Sequence, residues 1–138
     1  MVVKGRVWRL LLVTAIFVMA GPPIGGIVAW TSMGAFNLRS PVPFITGSYG
    51  EGVLLALGTG LLVAFAGLWL AMRSWRVPVI SALTINIVFF VLTANMDLSR
   101  ADYLTAFLNM MRVFLPPSLV AALACWFLTR PLLRDRSR

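Results

Sequence analysis

The chain has 138 residues, of which 60% are hydrophobic and 12% charged; soluble domains run at about half and a quarter, so the composition is that of a membrane protein. The formal net charge is +8, but the basic residues stand between apolar runs and form no basic face, so the expected partner is a lipid bilayer and no nucleic acid. With no histidine and Cys125 as its one cysteine, the chain has no Ser-His pair, no internal disulfide and no cysteine-based metal site; no catalytic, metal or cofactor-binding residue is expected, and enzymatic activity is not.

The first apolar run covers residues 7–30, "VWRLLLVTAIFVMAGPPIGGIVAW", long enough for the ~20 residues a spanning helix requires. Lys4, Arg6 and Arg9 before it, with a small-x-small site at Ala20, resemble a secretory leader cleaved after Ala20. Because the apolar run resumes at once with "IGGIVAW", an uncleaved first helix is the better reading. Within it, Gly21, Pro22 and Pro23 predict a break, because proline lacks the N–H and crowds the preceding turn. Gly25 and Gly26 follow and allow close helix approach. A structural kink is the plainer meaning of this segment; a discontinuous helix at a binding site is the functional one.

Residues 31–51 read as an outer loop broken into turns by Pro41, Pro43, Gly47 and Gly50, with "VPFIT" as a short extended piece. The second run, 52–72, carries small residues every fourth position: Gly52, Ala56, Gly60 and Ala64. That spacing makes a helix-packing ridge, toward this chain, a second copy or another membrane protein. The third run, 77–96, contains Asn86, the residue most costly to expose to lipid, which is expected to face protein.

The fourth region begins with Ser99 and Asp102 at capping-box spacing. Asp102, Thr105, Asn109 and Arg112 then form a polar stripe opposite Leu104, Phe107, Leu108, Met111 and Leu115, the pattern of an amphipathic helix. The first reading lays it on the outer surface, ended at Pro116, before a short last span; the fourth span falls within 107–129. A second lets it enter the membrane with a kink, and a third aims the stripe at a polar pathway with Arg112 attracting anions.

Basic residues cluster before the first run, at Arg73 and Arg76, and at Arg130, Arg134, Arg136 and Arg138, while Arg39, Arg100 and Arg112 lie on the other side. The positive-inside rule then puts both termini in the cytoplasm. Trp8, Trp69, Trp75 and Trp126 are expected in the cytoplasmic headgroup belt, and Trp30, Tyr49 and Tyr103 in the outer one. Eleven of the twelve basic residues are arginine, a bias associated with GC-rich bacterial genomes.

The expectation is therefore an all-α integral membrane protein in one domain, residues 1–138, with four transmembrane helices and both ends inside, in a bacterial cytoplasmic membrane. For function it is a non-catalytic accessory or assembly subunit working with another membrane protein or as a homo-oligomer. The alternatives are an oligomeric channel or small-solute transporter, and a holin-like permeabilising protein.

Overall fold

The structure, a computed structural model, describes residues 2–32, 40, 42–72, 74–94 and 100–133. It consists of four helices: α1 (Val2–Ser32), α2 (Val42–Leu68), α3 (Arg76–Ala94) and α4 (Arg100–Leu133). Three contain segments long and apolar enough to cross a membrane: Lys4–Ser32, Arg76–Thr93 and Asp102–Leu133. The apolar part of α2, Gly52–Leu68, is shorter.

Contacts between helices fix their directions. Gly52, Ala56 and Gly60 of α2 face Pro22, Gly21 and Phe17 of α1 in that order, so the two run antiparallel. Gly21 and Gly25 of α1 face Cys125 and Pro117 of α4, again antiparallel. Asn86 of α3 bonds Ser118 of α4, and Phe90 packs on Phe107 and Tyr103, so α3 opposes α4 as well. The result is an up-down-up-down bundle, the usual outcome of short connections. The start of α1, the end of α2, the start of α3 and the end of α4 share one end, which carries Lys4, Arg6, Arg9, Arg76 and Arg130.

The interior mixes small side chains with a few large ones. Val13, Phe17, Val63, Ala64, Ala82, Ala122, Cys125, Trp126 and Leu133 form the buried cluster. Large apolar residues such as Leu11, Leu54, Ile80, Leu92 and Phe127 point outward, the reverse of a water-soluble core, where large apolar side chains are mostly inside. Small residues at contacts let the helix backbones approach and gain dispersion energy. At Gly60 an added Cβ would lie 2.8 Å from the Cβ of Phe17 and 3.2 Å from the Cα of Thr14. The ridge on α2 is thus engaged by α1 of the same chain.

Several expectations are corrected. The first helix is not broken: α1 is helical from end to end with Pro22 and Pro23 inside it, and a side chain of α2 meets the Met19 carbonyl that Pro23 frees. Residues 42–50 are helical, not loop or extended. The Ser40 hydroxyl accepts a hydrogen bond from the Val42 amide at 3.2 Å, the bond of a helix N-cap, and Pro43 sits in the first turn, where a missing N–H costs nothing.

The amphipathic segment is not a separate outer helix either, since α4 continues through Pro116 and Pro117 to Leu133. At 1.5 Å per residue its 34 residues extend about 51 Å. From Asn86 to Phe90, α3 advances four residues, about 6 Å; from Ser118 back to Phe107, α4 advances eleven, about 16 Å. Both ends of these intervals are in contact, so α4 does not run alongside α3 here but leans across its end.

Trp126 is 5% exposed in the core, with the Arg130 guanidinium 5.5 Å from its ring centre, and its neighbours Ala122 and Cys125 leave room for the large ring. The expectations for residues 33–39, for Ser99 in the capping box and for Arg73, Arg134, Arg136 and Arg138 lie outside the described residues.

Candidate functional site: a cavity between two proline pairs

The sequence "GPPIGG" places two carbonyl groups of α1 in difficulty. In an α-helix the N–H of residue i bonds the carbonyl of i−4, so Pro22 leaves that of Val18 unpaired and Pro23 that of Met19. A residue from α2 repairs the second. The Tyr49 hydroxyl donates to the Met19 carbonyl oxygen at 2.9 Å. One position earlier, the Ser48 hydroxyl reaches the Pro22 carbonyl at 2.6 Å and that of Ile45 at 2.7 Å. Helical residues 42–50 therefore act as a splint along the proline segment, which explains why α1 continues through it.

On α4, Pro116 and Pro117 remove the donors for the carbonyls of Arg112 and Val113 by the same rule. Next to them Ser118 is held from two sides. It accepts from Asn86 Nδ2 at 3.0 Å and donates to the Leu115 carbonyl at 3.0 Å. Asn86, 2% exposed, also donates to the Ala82 carbonyl at 2.8 Å, so the expected protein-facing amide is in place.

Where these two segments oppose each other the helices do not close. A cavity of about 380 Å³ lies between α1, α2 and α4. Gly21, Pro22, Gly25 and Gly26 form its α1 wall; Ser48, Leu55, Ala56 and Thr59 its α2 wall; Val113, Pro117, Ser118 and Ala121 its α4 wall. Pro43 and Gly47 of α2 and Val113 and Phe114 of α4 are its exposed lining residues. No charged side chain lines it. Ligand sites for small molecules run at about 300–1,000 Å³, largely apolar with a few placed polar groups, and this cavity has that size and character.

The structure sorts the residues singled out in the sequence. Gly21, Pro22, Gly25, Gly26, Gly52 and Ala56 all line the cavity. Pro23 does not line it but frees the carbonyl that Tyr49 takes up, and Gly60 and Ala64 are buried below it. The polar stripe is elsewhere: Asp102, Thr105, Asn109 and Arg112 are all exposed on the bundle surface, and none lines the cavity. Ser48, Thr59 and Ser118 were not anticipated. Thr59 had a visible signal, as the only hydroxyl in the apolar segment Gly52–Leu68; Ser48 lay in what read as loop.

No protein family, curated protein or solved structure matches this chain, so the function has to be argued from the cavity.

Proposed function

We propose that this chain is a non-catalytic, four-span protein of a bacterial cytoplasmic membrane, with both termini inside, that holds a small neutral apolar solute between α1, α2 and α4 as the binding step of a carrier or transporter. The observation that carries the reading is the cavity itself, about 380 Å³ with no charged lining residue. An apolar cavity of about 150 Å³ already holds benzene. In hydrocarbon, helix carbonyls freed by proline are tolerated only where protein or a lined cavity covers them, and one proline of each pair, Pro22 and Pro117, lines this one.

The four-span topology is supported by packing and charge. The Gly52–Leu68 segment of α2 would cover about 26 Å at 1.5 Å per residue, near the ~30 Å of a hydrocarbon core, and it lies antiparallel on α1 over the ridge. The basic residues Lys4, Arg6, Arg9, Arg76 and Arg130 all stand at one end of the bundle, as the positive-inside rule requires of a cytoplasmic face. The small-residue ridge gives no support to association with a further protein, because α1 already covers it.

The test is photolabelling of the purified protein, reconstituted in vesicles, with benzophenone, whose excited ketone inserts into adjacent C–H bonds. Saturable labelling of peptides containing Leu55, Ala56 and Ala121 is expected, abolished in Gly25→Leu. At Gly25 an added Cβ meets nothing closer than the Pro117 carbonyl oxygen at 3.8 Å, so the larger side chain fills the cavity without a clash at its root. Labelling confined to outward residues such as Leu11, Leu54 and Leu92, without saturation, would remove the proposal.

A further inference from the structure

We infer that Thr59 is the polar anchor of the cavity and that the occupant is a neutral molecule presenting a carbonyl oxygen to its hydroxyl. This rests on the solute-binding reading above and adds the chemistry of the ligand.

Threonine and serine hydroxyls inside helices usually donate back to a carbonyl three or four residues earlier. This protein follows that habit at Thr46, Thr93, Ser118 and Thr129. Thr59 does not: it is 5% exposed and makes no hydrogen bond among the described residues. A buried hydroxyl without a partner carries a desolvation cost. Thr14 and Ser81 make no such bond either, but neither lines the cavity. Thr14 Oγ1 is fully occluded, whereas Thr59 Oγ1 is not, so the small exposure Thr59 retains reaches its hydroxyl, and the open space beside it is the cavity.

The other two hydroxyls of the lining are already committed. Ser48 donates to the carbonyls of Pro22 and Ile45, and Ser118 donates to Leu115 while accepting from Asn86. One proton in the cavity therefore remains to be given away, that of Thr59. With one free donor and no charge on the walls, the complementary ligand is uncharged, mostly apolar and has an acceptor such as a ketone, quinone or ester oxygen. Two sources share this chemistry: the ester carbonyl of a bilayer lipid, and a free carbonyl compound dissolved in the membrane.

Benzophenone carries the required ketone, so the labelling assay reads Thr59 directly through the concentration giving half-saturation. Thr59→Val, which keeps shape and removes the donor, should raise it about tenfold, the scale of one hydrogen bond; Thr59→Ser should restore it. Fluorenone should displace the label and fluorene, its counterpart without the oxygen, should do so only at about tenfold higher concentration, with the difference vanishing in Thr59→Val. Repeating the titration in diester and diether phospholipid vesicles separates the sources. A higher half-saturation in the diester vesicles identifies a lipid ester as the resident, and equal values identify a free carbonyl compound. Saturable labelling that is the same in Thr59→Val, with fluorene as effective as fluorenone, overturns the anchor while leaving the cavity reading standing. Absence of saturable labelling in the unaltered protein overturns both.

Discussion

The continuity of α1 through Pro22 and Pro23 is ascribed to side chains of α2, and replacing Tyr49 by phenylalanine isolates that claim. The change removes one oxygen, which donates at 2.9 Å to the Met19 carbonyl, the group that Pro23 deprives of its helix partner. Its size depends on the surroundings. Met19 is 72% exposed and Tyr49 40%, so in water the carbonyl would find a replacement and the loss would be slight. In lipid no replacement exists, and the unpaired carbonyl costs about 1–3 kcal/mol. Interhelical hydrogen bonds measured in a bilayer protein average about 0.6 kcal/mol with a maximum near 1.7. We expect Tyr49→Phe to destabilise the fold by about 1 kcal/mol, roughly a fivefold shift in the folding equilibrium.

Pro23→Ala supplies the control, because it restores an N–H that bonds Met19 within the helix. In that background Tyr49→Phe should cost close to nothing, giving a coupling of about 1 kcal/mol in the double-mutant cycle. The assay is reversible unfolding in bicelles with added dodecyl sulfate, followed by tryptophan fluorescence, to which the buried Trp126 contributes. An equal cost in both backgrounds would show that the Tyr49 hydroxyl does not serve the carbonyl freed by Pro23, and the splint explanation would fall.

Two more predictions use the same protein. Gly60→Ala should destabilise by about 1–3 kcal/mol, since its Cβ would lie 2.8 Å from that of Phe17 and 3.2 Å from the Thr14 backbone, whereas Gly52→Ala, 3.9 Å from Pro22, should be tolerated; equal effects in bicelle unfolding would mean the ridge is not packed as described. Topology is tested by cysteines at Gly5 and Gly47, where an added Cβ meets nothing within 4 Å and the native Cys125 is buried. An impermeant maleimide applied to intact spheroplasts should label Gly47→Cys and spare Gly5→Cys until the membrane is opened, and the reverse pattern would invert the orientation.

The helices were legible because their signal is local and repeated. Long apolar runs bounded by arginines located α1 and α3 to within a few residues, and the four-residue spacing from Gly52 identified a packing face. What failed was the reading of punctuation. Pro43, Gly47 and Gly50 were taken as turns, yet α2 begins at Val42, since Ser40 caps it and a proline in a first turn breaks nothing. Pro22 and Pro116 read as breaks, yet both helices continue, and in α1 the partner of the Met19 carbonyl that Pro23 frees belongs to another helix. Tyr49 lies 30 residues from Met19, and no window along the chain joins them. Asp102, Thr105, Asn109 and Arg112 are all exposed on α4, but a helical period tells which residues share a face and not what that face meets.

The cavity was the least legible feature, and the reason is physical. It arises from absence: glycines at 21, 25, 26 and 52 leave space only if the opposing helix also withdraws. Gly21 alone would not do this, for an added Cβ there is 3.4 Å from Ala56 and 4.0 Å from the Cys125 sulfur, so the three helices touch at that level. Toward the other end of the bundle α4 leans over α3, drawn by the edge-to-face contacts of Phe90 with Tyr103 and Phe107 at 5.1 and 5.0 Å between ring centres. Pro116 and Pro117 stand between the Gly21 contact and these aromatic contacts, where two helix bonds are missing and bending is cheapest. The contact at Gly21 and the aromatic contacts beyond Asn86 thus hold α4 at two levels, and the cavity extends past the Gly21 contact to Thr59, one residue before the Gly60 that faces Phe17. On this argument the cavity follows from the placement of prolines and aromatics on α3 and α4 as much as from the glycines of α1.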